Sequence, residues 1–475
     1  MNQPVTSKSR RLVVINVVGL TWDMIGTDTP HLKALADEGF GRPMKTVLPA
    51  VTCSVQASML TGLMPSEHGI VANGWYFRDL SEVLFWKQSN HLITGERAYQ
   101  AARHKDANHT TAKMFWWYNM YADVDWSVTP RPSYPADGRK IPDIYSAPAE
   151  LQNTLQDRLG KFPLFHFWGP TADIKSSSWI TDASLDVWQH QQPSLMLVYL
   201  PHLDYNLQRL GPNDPLIQSD IRQVDHEAGR LIQAARGDDA DVLVVSEYGI
   251  TQVDRPIAIN RILREAGFLK VRQEVLGWET LDPGASTAFA VADHQVAHVY
   301  LNMPSGQNAV RVRESVRKVL EQVDGIEAVL DTDQQPEFGI QHERSGDLVV
   351  ISAADSWFSY YFWLDDQLAP DYARTVDIHR KPGYDPVELF VDPQIRLPKL
   401  KVAHRLAKKM AGFRYYMDMI GLDASIVKGS HGRLPDDERL ESDGPVILCN
   451  NKQVESDRFH VTDVRDLILD LQFRS

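Results

Sequence analysis

The sequence predicts an α/β protein with a mostly parallel central sheet, and three observations predict it. Short continuous apolar runs recur at 12–18, 195–200, 242–245, 348–351 and 446–448, the pattern of strands buried on both faces. Each is bounded by polar residues or by Gly and Pro. Helical patterns lie between them, so strand and helix alternate as in a layered sandwich. Active sites of such sheets lie beyond the carboxyl ends of the strands.

Taken in order, the run at 12–18 reads as a buried strand: it contains Asn16 and lacks the small-residue cleavage site of a leader segment. Thr29-Pro30 through Gly39 then has the cap, the proline at the first helical position and the terminal glycine of a helix. A second helix is expected from about 215 to 235, where Ile217, Ile221, Val224, Ala228, Leu231 and Ile232 recur at three- and four-residue spacing. Residues 71–180 break the rhythm with aromatic stretches such as Phe115-Trp116-Trp117-Tyr118, and predict an inserted cap within a core made of 1–70 and 181–475. A secondary insertion is expected at about 254–345, where Asp293-His294 and His298 flank a strand-like run.

Composition excludes several classes. The 475 residues are 43% hydrophobic and 23% charged, with 28 Gly and 27 Pro, which is ordinary globular usage and not that of a disordered, collagenous or coiled-coil chain. The net charge of −13 argues against a partner of nucleic-acid polymer type, which selects a basic surface. Two cysteines, Cys53 and Cys449, provide neither a disulfide framework nor a cysteine-rich zinc site. No apolar run approaches the ~18 residues of a membrane span, so the expectation is a cytoplasmic protein without a membrane partner.

The most informative segment runs from Pro49 to Gly69. A proline-containing loop feeds Thr52 into the first turn of a helix that stops at Gly62, where a hydroxyl meets the positive end of the helix and favours an alkoxide or a bound phosphate. The alternative is that Thr52 is an ordinary N-cap.

With Pro49, Thr52, Thr61-Gly62, Pro65 and His68-Gly69 in register, this segment resembles the nucleophile motif of the alkaline phosphatase superfamily, in particular its type I phosphodiesterases and nucleotide pyrophosphatases. The resemblance implies an alkaline-phosphatase-like sandwich with an aromatic-rich inserted cap, and Thr52 as nucleophile. Sulfatases share this fold but need C-x-P-x-R, which Cys53-Ser54-Val55-Gln56-Ala57 lacks; Cys53 reads as a packed small residue.

The family binds two metal ions, commonly zinc, and the resemblance assigns the ligand positions one by one. The aspartate of the first strand is Val18; the D-x-x-x-H motif is Asp204 with Gln208 in place of histidine; the D-H pair is Glu247-Tyr248; the C-terminal G-x-H-G is Gly429-Ser430-His431-Gly432. Imidazoles and carboxylates are the usual zinc donors, whereas an amide or a neutral phenol binds weakly. The expectation is at most one divalent metal, zinc, held by Asp204 and His431 with Gln208 or Glu247 beside them, or no metal and a hydrogen-bonded Asp–His pair. The asparagine that the family places three residues after the nucleophile is Val55, so compensation is sought in His202, Arg209, Tyr248 and Gln56.

Two further clusters, 293–298 and 377–385, hold ligand-type side chains in loop-like sequence; they read either as replacement ligands, including His294, His298 and His379, or as hydrogen-bonded anchors. Arg380 and Lys381 offer phosphate contacts. Trp75 and Tyr76, directly after the matched motif, are expected to stack on a flat group, with Tyr248 and Arg209 completing the substrate contacts. The implied activity is hydrolysis of a phosphodiester or a related small-molecule phosphate ester, nucleotide-like in class, through Thr52. The alternatives are a metal-depleted binding protein of the same fold and a repurposed enzyme acting on a non-phosphate group. Oligomeric state is left open.

Overall fold

The computed structural model describes residues 9–136, 139–303, 306–452, 456 and 458–474. Its centre is a nine-stranded sheet. In chain order the strands are β1 (Leu12–Val17), β2 (Phe40–Lys45), β3 (Thr111–Met114), β4 (Trp126–Pro130), β5 (Ile144–Ala147), β6 (Leu195–Leu200), β7 (Asp241–Val245), β8 (Val446–Cys449) and β9 (Phe459–His460). Across the sheet the order is β9-β2-β8-β7-β1-β6-β3-β4-β5. The middle five, from β7 to β4, run parallel; β8 and β5 flank them antiparallel.

β1, β6 and β7 are entirely buried apolar strands apart from Asn16, Tyr199 and Asp241. Their parallel register sets Ile15 beside Val198 and Val244. The chain therefore leaves all three strands at the same edge, which brings Val18, Asp204 and Glu247-Tyr248 to one place. The helices Pro30–Glu38, Ile174–Gln191 and Ile217–Gly237 pack beside this sheet, with the first and second each against the third.

Three sequence expectations are corrected. The span 71–180, expected as an insert, supplies β3, β4 and β5 to the edge of the central sheet. These strands are only four or five residues long, and Lys113 interrupts the apolar run of β3, so they carry no strong apolar signal. The run at 348–351, expected as part of the main sheet, lies in a separate four-stranded antiparallel sheet ordered Ala288–Asp293, Val296–Leu301, Leu348–Ser352, Ile326–Asp331. The run at 446–448 is in the main sheet but antiparallel; an apolar run reports burial, not direction.

Candidate active site

The Thr52–Thr61 helix is buried along all ten of its residues, a consequence of its small and apolar composition. Gly62 ends it in the left-handed conformation at φ 71°, which glycine adopts without steric cost. The N-cap is Val51, with no side-chain cap bond, and Thr52 is the first helical residue. Thr52 therefore lies one residue inside the helix and is not its N-cap. Its Oγ1 lies 3.0 Å from the Tyr248 hydroxyl, close to the Glu247 carboxyl, whose Oε2 is buried without a hydrogen-bond partner.

From Tyr248 the contacts continue around a closed circuit. The Tyr248 hydroxyl donates to Asp204 Oδ1 at 3.4 Å, Gln208 Nε2 donates to Asp204 Oδ2 at 2.9 Å, and the Tyr384 hydroxyl donates to Gln208 Oε1 at 2.9 Å. The rings close it. Tyr248 stacks on His431 with centroids 3.5 Å apart, His431 on His294 at 3.7 Å, and His294 on Tyr384 at 3.7 Å. His431 is oriented by its Nδ1 at 2.7 Å from the Ala50 carbonyl oxygen, just before the Thr52 helix. His294 is oriented by its Nδ1 at 2.8 Å from Asp293 Oδ1, and sits at φ 61°, a conformation that a non-glycine residue holds only where its surroundings enforce it.

A second set of bonds fixes Glu247. Asn16 Nδ2 and Gln56 Nε2 each donate to its Oε1 at 2.6 Å, and the Trp117 amide donates to Gln56 Oε1 at 2.7 Å. A third ties the helix start to the neighbouring sheet: the Cys53 amide donates to Asn73 Oδ1, and the Asn73 amide and side chain donate to Asp293. Burial dominates the electrostatics. It raises Asp204 to about 7, Glu247 to about 8 and Asp293 to about 6, and it pushes His294 and His431 well below the ordinary imidazole range, so both rings are neutral.

Of the expected site residues, the structure brings Thr52, Asp204, Gln208, Glu247, Tyr248 and His431 together, and adds His294 from the expected replacement ligands. It does not bring Trp75, Tyr76 or Arg209 to Thr52. Trp75 and Tyr76 lie on a buried hairpin strand, where Trp75 stacks on Phe77 and Tyr76 packs against Phe289 and Tyr300. Arg209 donates to the Ala172 carbonyl at 2.6 Å. His298 bridges the Val71 carbonyl and the Gly346 amide, and Lys381 is buried between Asp385 and Glu388. Sequence reasoning passed over Asn16, Asn73 and Tyr384; the one available signal was the amide of Asn16 inside an otherwise apolar strand.

The donor set does not fit a two-metal centre. Among the described residues no group of three or more His, Cys, Asp or Glu is arranged to hold a metal ion. His431 Nε2 is 4.0 Å from Asp204 Oδ1, while Gln208 and the Tyr248 phenol occupy the remaining Asp204 valences. On the Thr52 side Val18 has no donor atom, and Asn16 and Gln56 hold one oxygen of Glu247. The Nε2 atoms of His294 and His431 are buried without a hydrogen-bond partner.

The fold recurs in solved structures. Phosphonoacetate hydrolase from Sinorhizobium meliloti in complex with phosphonoformate superposes with a TM-score of 0.60 at 14% identity, covering 98% of this chain and 96% of that one. Murine ectonucleotide pyrophosphatase/phosphodiesterase 5, as an inactive variant in complex with AMP, gives 0.56 at 15% identity over 97% of this chain and 94% of that one. An uncharacterised pyrophosphatase/phosphodiesterase of Schizosaccharomyces pombe is 22% identical over 261 residues, 53% of this chain and 46% of the relative, so the match spans less than half of that protein. The family model for type I phosphodiesterase/nucleotide pyrophosphatase matches residues 12–385, from β1 through the stacked Tyr384, and the chain belongs to that family.

Proposed function

We propose that the chain hydrolyses a phosphodiester or related small phosphate ester, with Thr52 as nucleophile and the ionised form of Glu247, which gains population as pH rises towards about 8, as the acceptor of its proton. The observation that carries this reading is the position of the Thr52 hydroxyl: on the first turn of a buried helix, 3.0 Å from the Tyr248 hydroxyl and close to the Glu247 carboxyl. A hydroxyl with a carboxyl close to it, the carboxyl itself oriented by Asn16 and Gln56, supports covalent catalysis by Thr52. In the first step a bond forms between Thr52 Oγ1 and phosphorus, the ester oxygen leaves, and the Thr52 proton passes to Glu247. Water then attacks the phosphorus and breaks its bond to Thr52 Oγ1, a proton returns to the threonine oxygen, and a phosphodiester is released as its monoester. The helix N-terminus and the Tyr248 hydroxyl offer positive potential and a donor to the phosphoryl oxygens. The AMP and phosphonate ligands of the two structural neighbours support a small phosphorus-containing substrate.

The test is hydrolysis of bis-p-nitrophenyl phosphate by purified protein, with and without prior chelation, alongside Thr52→Ala. Turnover abolished in the variant, together with a phosphothreonyl adduct on the peptide containing Thr52 in the parent, is the expected outcome. Undiminished turnover in Thr52→Ala would refute the assignment.

A second reading is favoured by the satisfaction of Asp204, Gln208 and Tyr384 by one another and by the burial of Thr52, which is 5% exposed: a protein that binds a phosphate ester without turning it over. AMP binding by calorimetry with no product released would select it.

A further inference from the structure

The helix Pro398–Met410 is the one helix of eight or more described residues with no buried residue. Its orientation is opposite to the usual one. Lys401 and Arg405 face the protein, where both pair with Asp418 at 2.9 Å, while the apolar stripe faces outward. Leu400 is 64% exposed, Leu406 42%, Met410 88% and Phe413, just past the helix end, 67%. A run of exposed apolar side chains on one face marks an interaction site. The segment 396–414 carries seven Lys and Arg residues and no Asp or Glu, within a chain of net charge −13. After the two that pair with Asp418, five basic residues remain along this stripe and its flanks: Arg396, Lys399, Lys408, Lys409 and Arg414.

We infer that this helix docks on an anionic lipid surface, lying in the interfacial plane with Leu400, Leu406, Met410 and Phe413 inserted among the acyl chains. Charge complementarity selects this occupant. A second copy of the chain, paired through the same face about a two-fold axis, would set two strongly basic segments against each other. An anionic headgroup layer instead attracts every one of these basic side chains while accepting the apolar stripe, and this combination is that of an interfacial helix. The earlier expectation of no membrane partner rested on the lack of a spanning run; among the described residues no helix is long and apolar enough to cross a membrane, and an interfacial helix needs none. The inference is independent of the hydrolase reading, because no side chain of the Thr52 site takes part in it.

Flotation of the full chain with vesicles tests it, using phosphatidylcholine alone and phosphatidylcholine with about a third phosphatidylserine, a mixture of the kind that sets a strongly negative surface potential. The expected result is binding to the anionic vesicles, weakened by salt, and little to the neutral ones. L400S/L406S/M410S and K399E/K408E/R414E should each weaken it by more than about tenfold. All six positions are exposed, so folding is checked by circular dichroism and should match the parent. Equal or absent binding to both vesicle types, or binding unchanged in both variants, would overturn the inference. So would a dimer in size-exclusion chromatography that L400S/L406S/M410S dissociates, since that would make a second copy the occupant, and so would selective binding to polyglutamate in place of vesicles.

Discussion

Tyr248 and His431 lie face to face, their rings 3.5 Å apart and 9° from parallel, at the two positions where the family's motifs place metal-ligating imidazoles. A neutral phenol is a weaker ligand than an imidazole, and its hydroxyl reaches Asp204 at 3.4 Å, covering a carboxylate oxygen that a metal would need. Purified protein is therefore expected to retain at most one transition metal per chain after dialysis. Val18→Asp together with Tyr248→His restores a carboxylate and an imidazole beside Thr52 and should raise the metal content measured by plasma mass spectrometry. Two zinc ions per chain in the unmodified protein would contradict this account.

The same hydroxyl links Thr52 to Asp204. In Tyr248→Phe the ring still stacks on His431, but Asp204 Oδ1 and Thr52 Oγ1 each lose a partner in a buried site. A stability loss of about 1–3 kcal/mol follows from leaving such groups unpaired. Turnover, if Thr52 is the nucleophile, should fall further than this folding loss explains, because the donor to the phosphoryl oxygens is gone. Thermal denaturation and steady-state kinetics on the same preparation separate the two; unchanged stability would mean that the circuit through Tyr248 is not formed in solution.

How far the site was legible follows from what each residue does. Asp204, Glu247 and Tyr248 sit within four residues of the ends of the mostly apolar strands β6 and β7, so a run-and-motif reading finds them. His431 follows a two-residue strand, Gly429–Ser430, and was legible only through its motif. Tyr384 and His294 act through ring faces, and stacking leaves no spacing rule along a chain. Asn73 acts through its backbone amide as well as its side chain, whereas Trp75 and Tyr76, expected as substrate contacts, pack on Phe77 and on Phe289 and Tyr300, since aromatic rings next to a motif are as readily core as contact surface. β3 to β5 were missed as members of the sheet because each is only four or five residues long, and Lys113 satisfies its ammonium on the carbonyls of Trp117 and Tyr118 rather than in solvent.

His298 gives a pH prediction outside the Thr52 site. Its Nε2 lies 3.0 Å from the Val71 carbonyl oxygen and its Nδ1 accepts from the Gly346 amide at 3.0 Å, so the neutral ring is fully used. Burial lowers its pKa from 6.5 to about 4. A depressed imidazole contributes stability that is present above the unfolded value and lost as pH falls, here between 6.5 and about 4, at about 1.4 kcal/mol per pH unit. His298→Gln keeps a donor and an acceptor but cannot titrate. Urea denaturation at several pH values across this window should show a shallower acid loss in the variant, by up to one proton's worth of slope. Identical slopes would show that His298 is not held neutral.

Lys381 separates a structural cation from a substrate-binding one. Its ammonium lies 2.7 Å from Asp385 Oδ2 and 2.6 Å from Glu388 Oε1, with all three side chains almost wholly buried. Glu388 also accepts from the Trp168 indole at 2.7 Å and from the Asp377 amide at 2.9 Å, so the triad holds together the loop that carries Tyr384 into the ring stack. Removing the cation strands two carboxylates in a low-dielectric interior, and the loss for one broken buried pair is about 3–5 kcal/mol. Lys381→Met should therefore destabilise the fold by at least that order at neutral pH. The loss should shrink on acidification, because burial already raises the Asp385 carboxyl and, once protonated, it no longer needs the ammonium. Chemical denaturation at pH 7 and pH 5 measures both effects. A variant that folds with parental stability yet binds AMP or hydrolyses a phosphodiester poorly would instead return Lys381 to the phosphate contact its sequence position first suggested.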